Sequence, residues 1–271
     1  MVLASTPCTG GIMTNSGIRY LAGSALALVL SAGAAVTAQA AAITPQFDTF
    51  GELNDSTGDN VEFGGDGIPN DAVSITRIEN NGNNITLGLT ATPRGSTAPP
   101  VTNDGAGTFF ADPGSSEPTG DQNRSLWNFS FFSEVYGGNG SLADYSFDLL
   151  YDFDPAGGTD EGEHGLFNAG AFAASTSVAQ GSQNLGFDYL SGDPFLDRAP
   201  SFTPFDPTVA GLYTFSLRAF DMNSALLGES AIRVNVGNVA MNDVPEPSSL
   251  ALLGLGLFGV GFVAMSRRRH R

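Results

Sequence analysis

The sequence predicts an all-β body, an antiparallel β-sandwich, and three observations carry the prediction. Short runs of alternating apolar and polar residues recur between residues 73 and 236, and a period of two is what a half-buried strand requires. Glycine, asparagine, aspartate, serine and proline separate these runs, each suited to reversing the chain. No segment of the body has a convincing helical period.

Taken in order, Val73 and Ile75 alternate with Ser74 and Thr76. Ile85, Leu87, Leu89 and Ala91 alternate with Thr86, Gly88 and Thr90. Trp127, Phe129 and Phe131 alternate with Asn128 and Ser130, which makes Trp127 a core residue before it is a sugar-stacking one; Tyr136 is the other aromatic considered for stacking. The strongest run is Tyr145–Phe153, whose odd positions are all large and apolar. Alternate side chains point to opposite faces of a strand, so one face should be core and the other mostly wet. Phe167–Gln180 is alanine-rich and reads as a strand or a short helix. Leu185, Phe187 and Tyr189 alternate with Gly186 and Asp188 and read as a further strand. Tyr213–Ala219 and Ile232–Val236 read as the last two. Thr92–Asn123 is rich in Pro, Gly, Ser and Asp. It is either a long surface loop or, over 93–123, a boundary between two β units.

Both ends of the chain differ from this body. Arg19 precedes an apolar run from Leu21 to Val36, followed by Ala38-Gln39-Ala40, a small-x-small cleavage pattern. Residues 1–40 therefore read as a secretory signal helix, for signal peptidase and the secretion machinery. Met1–Ile12 has no positive charge, which makes Met13 a candidate start. At the other end, Val244-Pro245-Glu246-Pro247 precedes sixteen apolar or glycine residues, Leu250–Met265, and then Arg267, Arg268, Arg269, His270 and Arg271. A helix over the apolar run spans about 24 Å. With flanking serines and snorkelling arginines, about 249–266 can cross a hydrocarbon core of about 30 Å. The arginines predict a cytoplasmic stop. Gly254-Leu-Gly256-Leu-Phe-Gly259 has dinucleotide-binding spacing, but no βαβ unit and no acidic residue twenty positions on accompany it.

The body, residues 41–243, holds 27 of the 28 acidic residues against six arginines, a balance of −21; the chain has no lysine. Such a charge repels nucleic acid and anionic membrane surface. The one cysteine, Cys8, lies in the export region, so the body has no disulfide and no thiolate chemistry.

The acids suggest one candidate site. From Asp152 to Glu163, the carboxylates Asp152, Asp154, Asp160 and Glu163 fall at positions 1, 3, 9 and 12 of a twelve-residue calcium loop, with Gly157 at position 6. Ala156 at position 5, Pro155 and Thr159 depart from the pattern, and a strand leads in. The readings are a Ca2+ ligand set and a solvated acidic turn. Asp55, Asp59, Glu62, Asp66 and Asp71 form a second acidic group with the same two readings. His164 is the only histidine of the body, and no Gly-x-Ser-x-Gly elbow accompanies it. Paired acids for glycoside hydrolysis cannot be chosen from so many. No catalytic residues are assigned, and no cofactor other than Ca2+ is expected.

Val-Pro-Glu-Pro, apolar run and arginine cluster, in that order, resemble a PEP-CTERM sorting signal over residues 244–271. The resemblance implies recognition of the tail by exosortase, a membrane enzyme of Gram-negative bacteria, with cleavage near Pro245-Glu246-Pro247 and delivery of the body to the cell surface or outside. It also implies an association with exopolysaccharide and biofilm matrix. The expected function is a non-enzymatic surface or matrix protein. The alternatives are a carbohydrate- or calcium-binding β module and an extracellular polymer hydrolase. Phe205–Phe220, followed by Ile232–Val236, resembles the closing strand pair of bacterial immunoglobulin-like modules, which implies an immunoglobulin-like or jelly-roll-like sandwich.

Overall fold

The computed structural model describes residues 42–65, 67–116 and 123–241. The signal segment 1–40, the motif 244–247, the apolar run 249–266 and the arginines 267–271 lie outside them. Among the described residues no helix is long and apolar enough to cross a membrane.

In chain order the strands are β1 (Thr49–Gly51), β2 (Val73–Asn80), β3 (Asn83–Pro93), β4 (Thr102–Asn103), β5 (Thr108–Ala111), β6 (Trp127–Tyr136), β7 (Tyr145–Tyr151), β8 (Gly165–Asn168), β9 (Val178–Gln183), β10 (Gly211–Asp221) and β11 (Leu226–Val236). They form two sheets, ordered β1-β2-β3-β6-β9 and β4-β5-β11-β10-β7-β8. The sheets face each other through aromatic rings. Phe129 of β6 stacks on Phe215 of β10 at 4.6 Å between centroids, Trp127 meets Phe215 edge-on at 6.0 Å, and Trp127 also lies 6.0 Å from Tyr213. Offset and edge-on arrangements such as these satisfy the ring quadrupoles. Trp127 is a core residue, 2% exposed.

Most of the alternating runs became strands, and the turns follow their chemistry. Asn81 and Gly82 join β2 to β3 with φ of 52° and 80°, the paired left-handed conformation that Asn-Gly favours in a two-residue hairpin. The odd positions of the strongest run, Phe147, Leu149, Tyr151 and Phe153, are buried in the core.

Three expectations need correction. The outer faces are not mostly wet. Leu53, Val61 and Phe63 cover Val73, Ile75 and Phe132 on the first sheet, and Ile43 covers Leu150 and Ala231 on the second. The apolar row of β2 thus faces away from the partner sheet. Its polar row faces inward, where Thr76 Oγ1 donates to Glu229 O at 2.7 Å and Ser230 Oγ donates to Ser74 O at 2.8 Å. Alternation shows that a strand has two unlike faces; it does not say which one meets the other sheet.

The sheets are also not wholly antiparallel, because β5 pairs in parallel with β11, Thr108 opposite Arg233 through Ala111 opposite Val236. Parallel partners need a long crossover, and the whole of β6–β10 serves as one. β4 and β5 both lie within 93–123, and both hydrogen-bond into the second sheet.

Leu185–Tyr189 is not a strand. Asn184 closes a turn there, accepting from Gly186 N, and Asp188–Ser191 forms a 3-10 turn. Phe167–Gln180, read as strand or short helix, holds both: the end of β8, a 3-10 turn, Ala169–Phe172, and the start of β9.

Candidate functional site

The acidic segment after β7 folds back over the outer face of the second sheet, and its side chains separate. Asp152, just past the end of β7, lies on the outer face beneath this segment and is 1% exposed. Its Oδ1 accepts from Asp154 N at 2.8 Å. Asp154 Oδ1 accepts from Ala156 N at 2.9 Å, and Asp160 caps a 3-10 turn by accepting from Gly162 N at 2.8 Å. Glu163 lies at the end of that turn. Carboxylates of this kind readily close turns on their own backbone. The four residues singled out as a calcium set therefore do not converge, and among the described residues no three His, Cys, Asp or Glu side chains are grouped to hold a metal ion.

The turn instead delivers His164 to Asp152 through a hydroxyl. His164 Nδ1 lies 3.0 Å from Asp160 O, an acceptor only, so that nitrogen carries the proton. Nε2 can then accept from Thr214 Oγ1 at 2.8 Å. Thr214 has a single proton to give, and its other neighbour, Asp152 Oδ2, lies 3.3 Å away. That proton can go to His164 Nε2 or to Asp152 Oδ2; only when Asp152 is protonated do the bonds run one way, from carboxyl to hydroxyl to imidazole. Asp152 Oδ2 is 3.8 Å from Nε2. Burial pushes the Asp152 carboxyl up to about 7 and pushes the His164 imidazole down. All three groups are closed from solvent, at 1%, 0% and 6% exposure, so no substrate reaches them.

Two arginines hold the segment in place. Arg198 Nε donates to His164 O at 2.8 Å and its Nη2 donates to Glu161 O at 2.9 Å. Arg218 of β10 grips both carboxylate oxygens of Glu161, at 2.5 and 2.9 Å, and reaches Glu229 Oε1 at 3.0 Å through Nε. This fork holds Glu161 below the usual carboxylate range. Sequence reading named Asp152, Asp154, Asp160 and Glu163 but missed Glu161, Thr214, Arg198 and Arg218. Arg218 and Thr214 lie on the polar row of β10, opposite its core row, and that row was the one available signal.

The second acidic group also turns on itself. Asp55 Oδ1 accepts from Thr57 N, Thr57 Oγ1 and Asp59 N at 2.9, 2.7 and 3.0 Å, which lowers the Asp55 pKa. Asp66 lies outside the described residues. The same loop bonds a buried acid: Glu134 of β6, 4% exposed, accepts from Ser56 N at 3.1 and 3.0 Å and from Ser56 Oγ at 2.5 Å. Ser56→Ala should remove the hydroxyl bond alone and lower stability by about 1.5–3 kcal/mol in a urea melt, the range for one hydrogen bond to a carboxylate.

The C-terminal path is fastened almost to the tail. Gly237 N donates to Ala111 O at 2.9 Å. The Asn235 side chain brackets Val239, donating to its carbonyl at 3.0 Å and accepting from its N–H at 2.9 Å. Arg233 Nη1 lies 3.5 Å from Met241 Sδ. Eight residues then separate Met241 from Leu250, at most about 29 Å of fully extended chain. Among curated proteins the chain has no match. Residues 243–269, which begin two positions after Met241, match the PEP-CTERM protein-sorting motif. The tail thus carries a PEP-CTERM sorting motif, which supports export of the chain as an anchored precursor and its sorting by exosortase.

Proposed function

We propose that the β body is the passive cargo of this signal, a non-enzymatic component of the cell surface or of an exopolysaccharide matrix. The observation that carries the reading is how the body's chemistry-bearing side chains are occupied. Its single histidine and the acid beside it are closed off between the outer face of the second sheet and the segment covering it. Glu161 is taken by Arg218, and Glu134 by Ser56. What faces water is a strongly acidic surface, suited to a solvated protein outside the cell.

Cell fractionation tests the reading. With exosortase present, the body should be recovered at the surface or in the medium, shortened by the tail. Without exosortase, the full-length chain should stay in the inner membrane. An intact chain in the cytosol would overturn the address. Release of reducing ends from exopolysaccharide by the purified body would overturn its non-enzymatic character.

A further inference from the structure

Three chain reversals meet at the end of the two sheets remote from Val236, the last residue of β11. They are Asn81-Gly82 between β2 and β3, the loop from Gly137 to Asp144 between β6 and β7, and Asp221–Ala225 between β10 and β11. Between them lies a groove of about 490 Å³ lined by Asn80, Asn81, Asn139, Asn223, Tyr145 and Met222, together with Asn83, Asp144 and Asp221.

Turn geometry requires asparagine only at position 81, where φ is positive. The others have separate explanations. Asn83 is a latch, donating to Tyr145 Oη at 3.0 Å and accepting from Gly140 N at 3.0 Å. Gly138 and Gly140 are pressed against it so closely that a methyl at either would overlap its side chain. The groove is therefore held open in one shape, and preorganisation of this kind favours binding. The rim amides are left to the solvent. Among the described residues Asn139 has no side-chain hydrogen-bond partner, Asn80 and Asn81 use one atom each, on each other, at 3.0 Å, and Asn223 Nδ2 reaches Asp221 Oδ2 only at 3.4 Å.

The lining decides the ligand class. No lysine or arginine borders the groove, so nothing there attracts a phosphate or sulfate, and the charge of the chain, −17, repels polyanions. The two acids each commit one oxygen to the protein's own backbone. Asp221 Oδ1 accepts from Asn223 N and Ala225 N at 2.8 and 2.9 Å, and Asp144 Oδ2 accepts from Ser141 N at 2.8 Å. What remains is a row of groups that both donate and accept. Beside them are the ring of Tyr145 and the side chain of Met222, 73% exposed. Neutral amides next to apolar patches match a molecule with hydroxyls on its edges and C–H groups on its faces.

We propose that this groove binds a neutral polysaccharide, at the end of the sheets opposite the C-terminal end of β11. β11 runs from the groove to Val236, eleven residues or about 36 Å. The proposal rests on the matrix reading above and names the ligand for it.

The test uses the purified body in native gels cast with the neutral or the acidic fraction of extracellular polysaccharide from the producing strain. The body should be retarded by the neutral fraction, with or without calcium. The paired variant Asn139→Ala with Asn223→Ala, both exposed, should melt as the native protein does and lose at least tenfold in affinity. Asn139→Asp with Asn223→Asp, which keeps the shape and removes the donors, should lose as much. No retardation by the neutral fraction, retardation only by the acidic one, or equal retardation of the variants would each overturn the proposal. Because binding is read in vitro, a body that binds but is not exported would fail the matrix reading alone. A body that is exported and does not bind would fail this proposal alone.

Discussion

Asp152→Asn should raise the stability of the body at pH 8 by up to about 4 kcal/mol, roughly 8–16 °C in Tm for a body of this size. The gain should disappear on acidification to pH 4. Asp152 titrates near 7 in the folded protein and near 3.8 when unfolded. Between those values the folded state holds the extra proton, so this residue's contribution to stability falls as pH rises through the window. Asparagine keeps the acceptor for Asp154 N and never ionises.

His164 has the opposite sign. Its folded pKa lies below 6.5, so under acid conditions the unfolded state binds more protons and stability falls as pH falls. The two slopes oppose each other, so below pH 6.5 the histidine's contribution offsets part of the aspartate's. Asp152→Asn should expose the histidine's acid-side loss, and His164→Gln should expose the aspartate's loss toward neutrality. Thermal melts across pH 4–8 read all three profiles; an Asp152→Asn curve running parallel to the native one would remove the neutral-carboxyl account.

The largest loss is expected from Asn184→Ala, roughly 4 kcal/mol or more. Asn184 is fully buried. Its Oδ1 accepts from Ser125 N and Gly186 N at 2.9 and 3.0 Å, and its Nδ2 serves Ser125 O, Trp127 O and Asn128 Oδ1 at 3.1, 2.8 and 2.8 Å. Truncation leaves backbone donors and acceptors buried without partners, each costing about 1–3 kcal/mol. A urea melt of Asn184→Ala should show an early transition, and Asn184→Asp should restore the acceptor half only. A midpoint within 0.5 kcal/mol of native for Asn184→Ala would show that water replaces the amide.

Asn184 also marks the limit of what the sequence shows. Period-two alternation located β3, β6, β7, β10 and β11, because in each a row of large side chains had to be buried together. The same alternation at Leu185–Tyr189 pointed to a strand. There the amide of Asn184 captures the backbone of Gly186 and turns the chain, a contest between side chain and ladder that apolar spacing cannot report. The covering of the outer faces was hidden for a related reason. Leu53, Val61, Phe63 and Ile43 lie in irregular segments with no period, and they found Phe132 and Leu150 through long-range folding. The acidic segment was legible as a cluster, but its use was not. Asp152 differs from Asp154 and Asp160 only in being buried, and the partners that assign it a role, Thr214 and His164, lie 62 and 12 positions further along.

The arrangement of β11 has a mechanical consequence. The strand has neighbours on both sides, β10 along its length and β5 over Arg233–Val236 next to the tail. A pull applied between the two ends of β11 would act along this strand. Such a load strains its lateral bonds together, in shear, and does not peel them apart one by one. At the Val236 end β5 adds a second row of bonds, so that end resists such a load on both edges.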